Sequence, residues 1–183
     1  IGGGHLSDFL VLKPVFQDKT LVGLTAMFGH TDDVGGNPGG WSTDDEQVFQ
    51  EGVLIPPTKF YAAGKRNDTV EAIIRNNVRL PDEAMGDLEA LRSGALVGEE
   101  RIQEAVSEYG HETFVGVTDE ILDRSEQVLR ERLAELPDAT HEEQMQFEIE
   151  GFPLTVSLAI SIDGDDIYVD FEGTSDQIPA GVN

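Results

Sequence analysis

The sequence has 183 residues, of which 39% are hydrophobic and 26% are charged, and these globular values exclude wholesale disorder. It contains no cysteine, which excludes disulfides, thiolate metal sites and a cysteine nucleophile. Its 36 acidic and 12 basic residues give a formal charge of −24, which disfavours binding to nucleic acids or to anionic membranes.

The first third of the chain predicts strands and a glycine-rich loop. Residues 9–16 and 20–28 are apolar, β-rich runs separated by three polar residues, which is typical of a β-hairpin. Five glycines and a proline within the twelve residues 29–40 predict a loop. We expect a short helix over 42–50, and an extended segment over 53–61 because each proline there disfavours helix in the residue before it.

The middle of the chain is expected to be helical. Apolar residues recur at helical spacing from residue 67, and Pro81 stands where the first turn of a helix accepts proline. A further helix is expected over 99–109. The strongest helical pattern covers 118–136, with Thr118 as its N-cap.

Strands are expected again after residue 144. Residues 154–162 alternate in polarity, and 166–171 pair back across an Asp-Gly turn. The chain thus divides into a β-rich segment (1–66), a helical segment (67–137) and a β segment (144–183). This order predicts an α+β fold with an N-terminal β-hairpin and glycine-rich loop, a central helical segment and C-terminal antiparallel strands.

Two His-x-x-Asp elements carry the strongest chemical signal. They comprise His5 with Asp8 and His30 with Asp33, and their histidines are 25 residues apart. One element enters the first predicted strand and the other leaves the second, so a hairpin would bring both to the same end. Two imidazoles with one or two carboxylates suit Mn²⁺, Fe²⁺ or Zn²⁺ with open coordination positions. The alternative is that these residues only cap and close turns.

The glycines beside these elements could serve the same site. Gly35 and Gly36 would let backbone N–H groups reach a substrate oxyanion. The two remaining histidines, His111 and His141, are expected on the surface. The sequence contains no phosphate-binding loop, zinc-protease motif or nucleophile elbow, so we expect no cofactor-binding residues and assign no catalytic ones.

Motifs that match one known family stand in the same order along almost the whole chain, at 3–8, 14–16, 30–36, 38–39, 49–57, 77–81, 87–90 and 169–177. Through them the sequence resembles the hydantoinase B/oxoprolinase family. That family includes the B subunit of ATP-dependent N-methylhydantoinases, the matching part of 5-oxoprolinase and the large subunits of acetone and acetophenone carboxylases. Where relatives often carry a second consecutive histidine, this sequence has Thr31.

This resemblance implies a site, a partner and an activity. The implied ligands of a divalent metal, manganese first and zinc or iron as alternatives, are His5, Asp8 and His30, with Asp33 as a fourth candidate. ATP would be used by a hydantoinase A-type partner subunit. The implied function is hydrolysis of a cyclic amide, a hydantoin or 5-oxoproline. The alternatives are a subunit of an acetone- or acetophenone-type ketone carboxylase and a non-catalytic structural fragment.

The ends and the charge add two expectations. The chain starts at Ile1 and stops at Asn183 without a signal segment, which we interpret as an internal section of a longer cytoplasmic subunit. Sparse lysine among dense carboxylates suits a protein kept soluble in concentrated salt, the alternative being an ordinary acidic protein.

Overall fold

A computed structural model describes residues 5–37 and 42–181. The glycines before His5 and the second half of the glycine-rich loop lie outside the described residues. The chain forms two units, one built from the residues up to Glu108 and from Pro179 onwards, the other from Tyr109–Ile178. The elements are three helices and antiparallel strands, so the predicted α+β class is confirmed.

The first unit begins with the predicted hairpin. Strand β1 (Asp8–Gln17) pairs antiparallel with β2 (Thr20–His30), and the register places Asp8 opposite His30. The alternation of buried and exposed residues turns one face of the hairpin inwards, as Phe9 and Val15 illustrate.

The prediction of a helix over 42–50 is wrong. Only a short 3-10 helix, Val48–Gln50, forms there. Gln50 Oε1 accepts the backbone N–H groups of Glu46 and Gln47, which a helix starting at Ser42 would use for its own hydrogen bonds. The Asp45 carboxylate accepts the amide of Ser42 at 3.0 Å. The segment predicted as extended is irregular up to β3 (Tyr61–Ala62), which pairs with β4 (Lys65–Arg66).

Two helices complete the first unit. Helix α1 (Asp68–Asn77) is capped by Asn67, whose side chain accepts the amides of Thr69 and Val70. Helix α2 (Pro81–Tyr109) is one continuous helix, where separate helical segments were expected. The buried core cluster comprises Phe9, Val34, Ile74, Val78, Ala84, Met85 and Leu88.

Glycines allow α2 to lie close to the hairpin. A Cβ atom at Gly94 would stand 2.7 Å from Met27 Cε, and one at Gly98 would stand 2.7 Å from Thr25 Cγ2. The Thr25 hydroxyl donates to the Ala95 carbonyl at 3.0 Å. Packing against Thr25 therefore favours glycine at 98, whereas the atom closest to Gly94 is the flexible end of the Met27 side chain. Neither glycine interrupts the helix.

The second unit contains helix α3 (His111–Leu133) and a three-stranded antiparallel sheet in the order β5-β6-β7. The sheet comprises β5 (Ala139–Ile149), β6 (Phe152–Asp163) and β7 (Asp166–Asp170). The prediction that Thr118 caps this helix is wrong. The helix begins at His111 after Gly110, and the Thr118 hydroxyl donates to the Phe114 carbonyl inside it.

In the second unit, the predicted turn between the last two strands is present, but the first strand begins earlier than predicted. Strand β5 begins at Ala139, five residues earlier than expected. The Asp163-Gly164 turn between β6 and β7 is present. Within the described residues, no helix is long and apolar enough to cross a membrane.

Candidate metal centre

The open end of the hairpin brings three of the predicted ligands together. His30 Nδ1 lies 3.2 Å from Asp8 Oδ1, and His5 Nδ1 lies 3.5 Å from Asp8 Oδ2. The two imidazole rings meet edge to face, with centroids 4.8 Å apart and an interplanar angle of 82°. One ligand atom from each of the three residues lies within 4.8 Å of the others. We call these residues the His-Asp-His cluster.

Local structure explains why the cluster forms. Asp8 and His30 are the first and last residues of the paired strands and face each other in the register. His5 is carried over Asp8 by a tight turn in which the Asp8 amide donates to the His5 carbonyl at 3.3 Å. If the register between β1 and β2 shifted by one residue, Asp8 would lie on the opposite face of the hairpin and the cluster would not form.

Sequence reasoning missed Ser7, which lies at the centre of the cluster. Ser7 is completely buried, and its Oγ lies 2.8 Å from His5 Nδ1 and 3.3 Å from His30 Nδ1. Its carbonyl accepts the amide of Thr31 at 2.9 Å, which ties the turn to the end of β2. The hydroxyl thus orients both imidazoles, as outer partners of metal ligands commonly do. Its position between His5 and Asp8 in the sequence is the signal that could have identified it.

The donor set fits a divalent transition metal. Two imidazole nitrogens and a carboxylate, without sulfur, suit Mn²⁺, Fe²⁺ or Zn²⁺ and leave coordination positions for water or substrate. The side chains of His5, Asp8 and His30 are 30%, 23% and 49% exposed, so the cluster is open to solvent. That these residues bind a metal stays a prediction.

The structure does not bring Asp33 to the cluster. Its buried carboxylate accepts hydrogen bonds from the amides of Gly35, Arg79 and Leu80 and an ion pair from Arg79 Nη1 at 3.0 Å. Burial opposes ionisation, but these amides and the Arg79 guanidinium outweigh it and hold the pKa of Asp33 below its usual value of 3.8. Four donors occupy the carboxylate, so Asp33 joins the glycine loop to the start of α2 and is not a ligand in this arrangement.

Gly35 and Gly36 are placed by backbone conformation. Both have positive φ angles, 83° and 61°. The Gly35 amide donates to Asp33 Oδ1 at 3.0 Å, so it is occupied within the loop. A Cβ atom at Gly36 would collide with the carbonyls of Gln50 and Glu51. Their role as donors to a substrate oxyanion stays a prediction.

The remaining predicted surface histidines are on the surface. His111 and His141 are both exposed, and the side chain of His141 is 80% exposed.

Comparison with solved structures first defines the class of fold. The chain superposes on the crystal structure of the ATP-dependent caprolactamase from Pseudomonas jessenii with a TM-score of 0.90 at 30% identity, covering 97% of this chain and 31% of that one. It therefore shares the fold of one section of a larger enzyme subunit.

Sequence comparison then defines the family. The match to hydantoinase B/oxoprolinase extends over residues 1–183, so the chain belongs to this family. It is 31% identical to the beta subunit of caprolactamase from Pseudomonas jessenii, over 99% of this chain and 32% of the subunit. It is 28% identical to the acetophenone carboxylase delta subunit of Aromatoleum aromaticum, over 100% of this chain and 28% of that subunit. The chain thus spans about a third of the length of these relatives.

Proposed function

We propose that this chain is the metal-bearing section of a subunit of an ATP-dependent cyclic-amide hydrolase, acting on a hydantoin or on 5-oxoproline. The observation that carries the proposal is the His-Asp-His cluster at the open end of the hairpin. Membership of the hydantoinase B/oxoprolinase family and the likeness to a caprolactamase support the hydrolase reading.

His5, Asp8 and His30 would hold the metal, manganese first and zinc or iron as alternatives. A bound divalent ion polarises a carbonyl and lowers the pKa of a coordinated water. Asp8 supplies negative charge between the two imidazoles, and Ser7 holds both rings by their Nδ1 atoms. The solvent-open side of the cluster gives a substrate access to it.

ATP would be used by a hydantoinase A-type partner subunit. The sequence offers no phosphate-binding loop, and its charge of −24 repels phosphates. The partner would activate the amide oxygen by phosphorylation with ATP, and this chain would contribute the site at which water opens the activated ring and inorganic phosphate leaves.

A ketone carboxylase is the second candidate, because an acetophenone carboxylase subunit is among the relatives. The two functions are separated by assaying the complete subunit with its partner and ATP. A hydrolase opens hydantoin or 5-oxoproline without bicarbonate, whereas a carboxylase consumes acetophenone or acetone only when bicarbonate is present.

The metal site is tested by titrating Mn²⁺ into the chain, followed by electron paramagnetic resonance. We expect about one Mn²⁺ per chain, and the variant His30→Ala should bind at least about tenfold more weakly. His141→Ala is the matched control, because it removes an exposed imidazole from the second unit. Absence of saturable binding of Mn²⁺, Zn²⁺ or Fe²⁺, or equal losses in both variants, would leave the structural fragment as the remaining reading.

A further inference from the structure

A cavity of about 320 Å³ lies beside the first turns of α2 and is distinct from the His-Asp-His cluster, none of whose residues line it. Its charged lining comes from Asp32, Asp33, Glu83 and Asp87. Asp33 is already paired with Arg79. Among the described residues, no lysine, arginine or histidine lines the cavity. The carboxylates of Asp32, Glu83 and Asp87 therefore have no cationic partner in its wall.

Thr31 provides an independent sign of a ligand. It lines the same cavity and is 1% exposed, yet its Oγ1 has no hydrogen-bond partner among the described residues. A buried hydroxyl is rarely left without a partner in a folded protein. Its own backbone amide is satisfied by the Ser7 carbonyl, so the orphan atom is the hydroxyl alone.

The charge of the site selects the kind of ligand. The positive end of α2 would favour an anion, but the Asp33 carboxylate already accepts the Leu80 amide there. The excess charge in the wall is therefore negative. A cavity of about 320 Å³ lies at the lower limit of small-molecule pockets, which begin at about 300 Å³, and it is much larger than a bare metal ion.

We propose that this cavity binds a small organic cation carrying a primary ammonium group. The ammonium donates hydrogen bonds to Thr31 Oγ1 and to the carboxylates of Glu83 and Asp87, while the alkyl part contacts Leu80 and Ala84. Three N–H donors on one nitrogen match one hydroxyl and two carboxylates. The proposal is independent of the activity proposed above.

The test uses n-butylammonium chloride as the probe and n-butanol as its neutral counterpart, titrated by calorimetry at one fixed KCl concentration. Asp87→Asn should weaken butylammonium binding about tenfold, because it removes a charge-assisted hydrogen bond. Thr31→Val should weaken it several-fold without loss of stability, because the hydroxyl gives up no hydrogen bond inside the protein.

Glu108→Gln is the matched control, since it removes the same charge from an exposed position at the other end of α2. It should change the affinity by less than about twofold, because exposed charges at that distance are screened. The proposal is overturned if butanol binds as tightly as butylammonium, if no saturable binding occurs, or if Glu108→Gln and Asp87→Asn cause equal losses. Displacement of butylammonium by equimolar Mg²⁺ would also overturn it in favour of a metal site.

Discussion

Asp33→Asn removes one charge and changes one atom of the side chain, and it tests the role that the structure gives Asp33. The carboxylate accepts four hydrogen bonds, two at each oxygen: Gly35 N and Arg79 Nη1 at Oδ1, and Arg79 N and Leu80 N at Oδ2. An amide in either orientation presents NH₂ to one of these pairs, so two bonds are lost. If Asp33 were instead an exposed turn residue, the exchange would be almost neutral.

The magnitude follows from the number of bonds. Each hydrogen bond to a charged acceptor contributes about 1.5–3 kcal/mol, so two contribute about 3–6 kcal/mol. Arg79 is 53% exposed and can turn to water, which reduces the loss. We therefore expect the free energy of unfolding to fall by about 3–5 kcal/mol, a large part of the ~5–15 kcal/mol of an ordinary domain.

The assay is equilibrium urea unfolding followed by circular dichroism, with Asp32→Asn as the control. Asp32 is the exposed neighbour with the same charge, and its exchange should change the free energy of unfolding by less than about 0.5 kcal/mol. A loss below about 1 kcal/mol for Asp33→Asn, or equal losses in both variants, would refute the assignment of Asp33 as a buried structural carboxylate.

The pH dependence of the free energy of unfolding tests the same assignment. The pKa of Asp33 is lower in the folded chain than its usual value of 3.8. The stabilisation by its charge is therefore fully present above pH 3.8 and is lost as the pH falls through the folded pKa. The difference between wild type and Asp33→Asn should be constant near neutral pH and shrink below pH 3.8. A difference that already shrinks between about pH 7 and 5 would contradict the assignment, since no carboxylate with a lowered pKa titrates there.

Three further predictions concern the cluster, the glycine loop and the charge. Ser7→Ala should weaken Mn²⁺ binding about tenfold while the fold persists, because it removes the hydrogen bonds that orient both imidazoles. Ser93→Ala, on the exposed face of α2, is the control and should leave the Mn²⁺ affinity unchanged. An unchanged Mn²⁺ affinity in Ser7→Ala would show that Ser7 does not position the imidazoles. Gly36→Ala should lower the free energy of unfolding by about 2–5 kcal/mol, because the added Cβ atom collides with neighbouring carbonyls and the residue is also strained at positive φ. Gly64→Ala is the control, since its φ of +77° gives the same strain without a collision, and it should cost about 1–2 kcal/mol. Equal costs in urea unfolding would show that the collision at Gly36 is relieved. The melting temperature should rise from about 0.1 M to about 1 M KCl, because screening reduces repulsion among the excess carboxylates, and a flat or falling melting temperature would refute salt adaptation.

The sequence predicted the elements whose signals are local. The hairpin was predictable because both strands are apolar, β-rich runs and three polar residues separate them, and the pairing of Asp8 with His30 follows from the hairpin register. The boundaries that failed depend on distant contacts. Separate helical segments were expected where α2 is continuous. Gly94 and Gly98 are positions where α2 touches Met27 and Thr25, and no local pattern indicates such a contact.

The helix predicted over 42–50 failed for the opposite reason. Its polar residues resemble a helix start, but Asp45 and Gln50 bind the backbone amides of the same segment and hold it in turns. Competition between a side chain and the backbone for one amide is decided by small differences in local geometry. Composition alone does not contain that information.

The two His-x-x-Asp elements show how identical sequence signals acquire different roles. Asp8 starts a strand, and the pairing places it directly across from His30, so it stays beside the imidazoles. Asp33 lies three residues beyond the end of its strand, where the chain has turned towards Arg79 at the junction between α1 and α2. The Asp33 carboxylate accepts three backbone amides and a guanidinium and so stabilises the loop, whereas the Asp8 carboxylate lies between two imidazoles and could bind a metal. The spacing could not distinguish these outcomes, because the contact that captures Asp33 comes from a residue 46 positions away. The same displacement leaves three candidate ligands where four were predicted, and three protein ligands with an open position are, for zinc, typical of catalytic rather than structural sites.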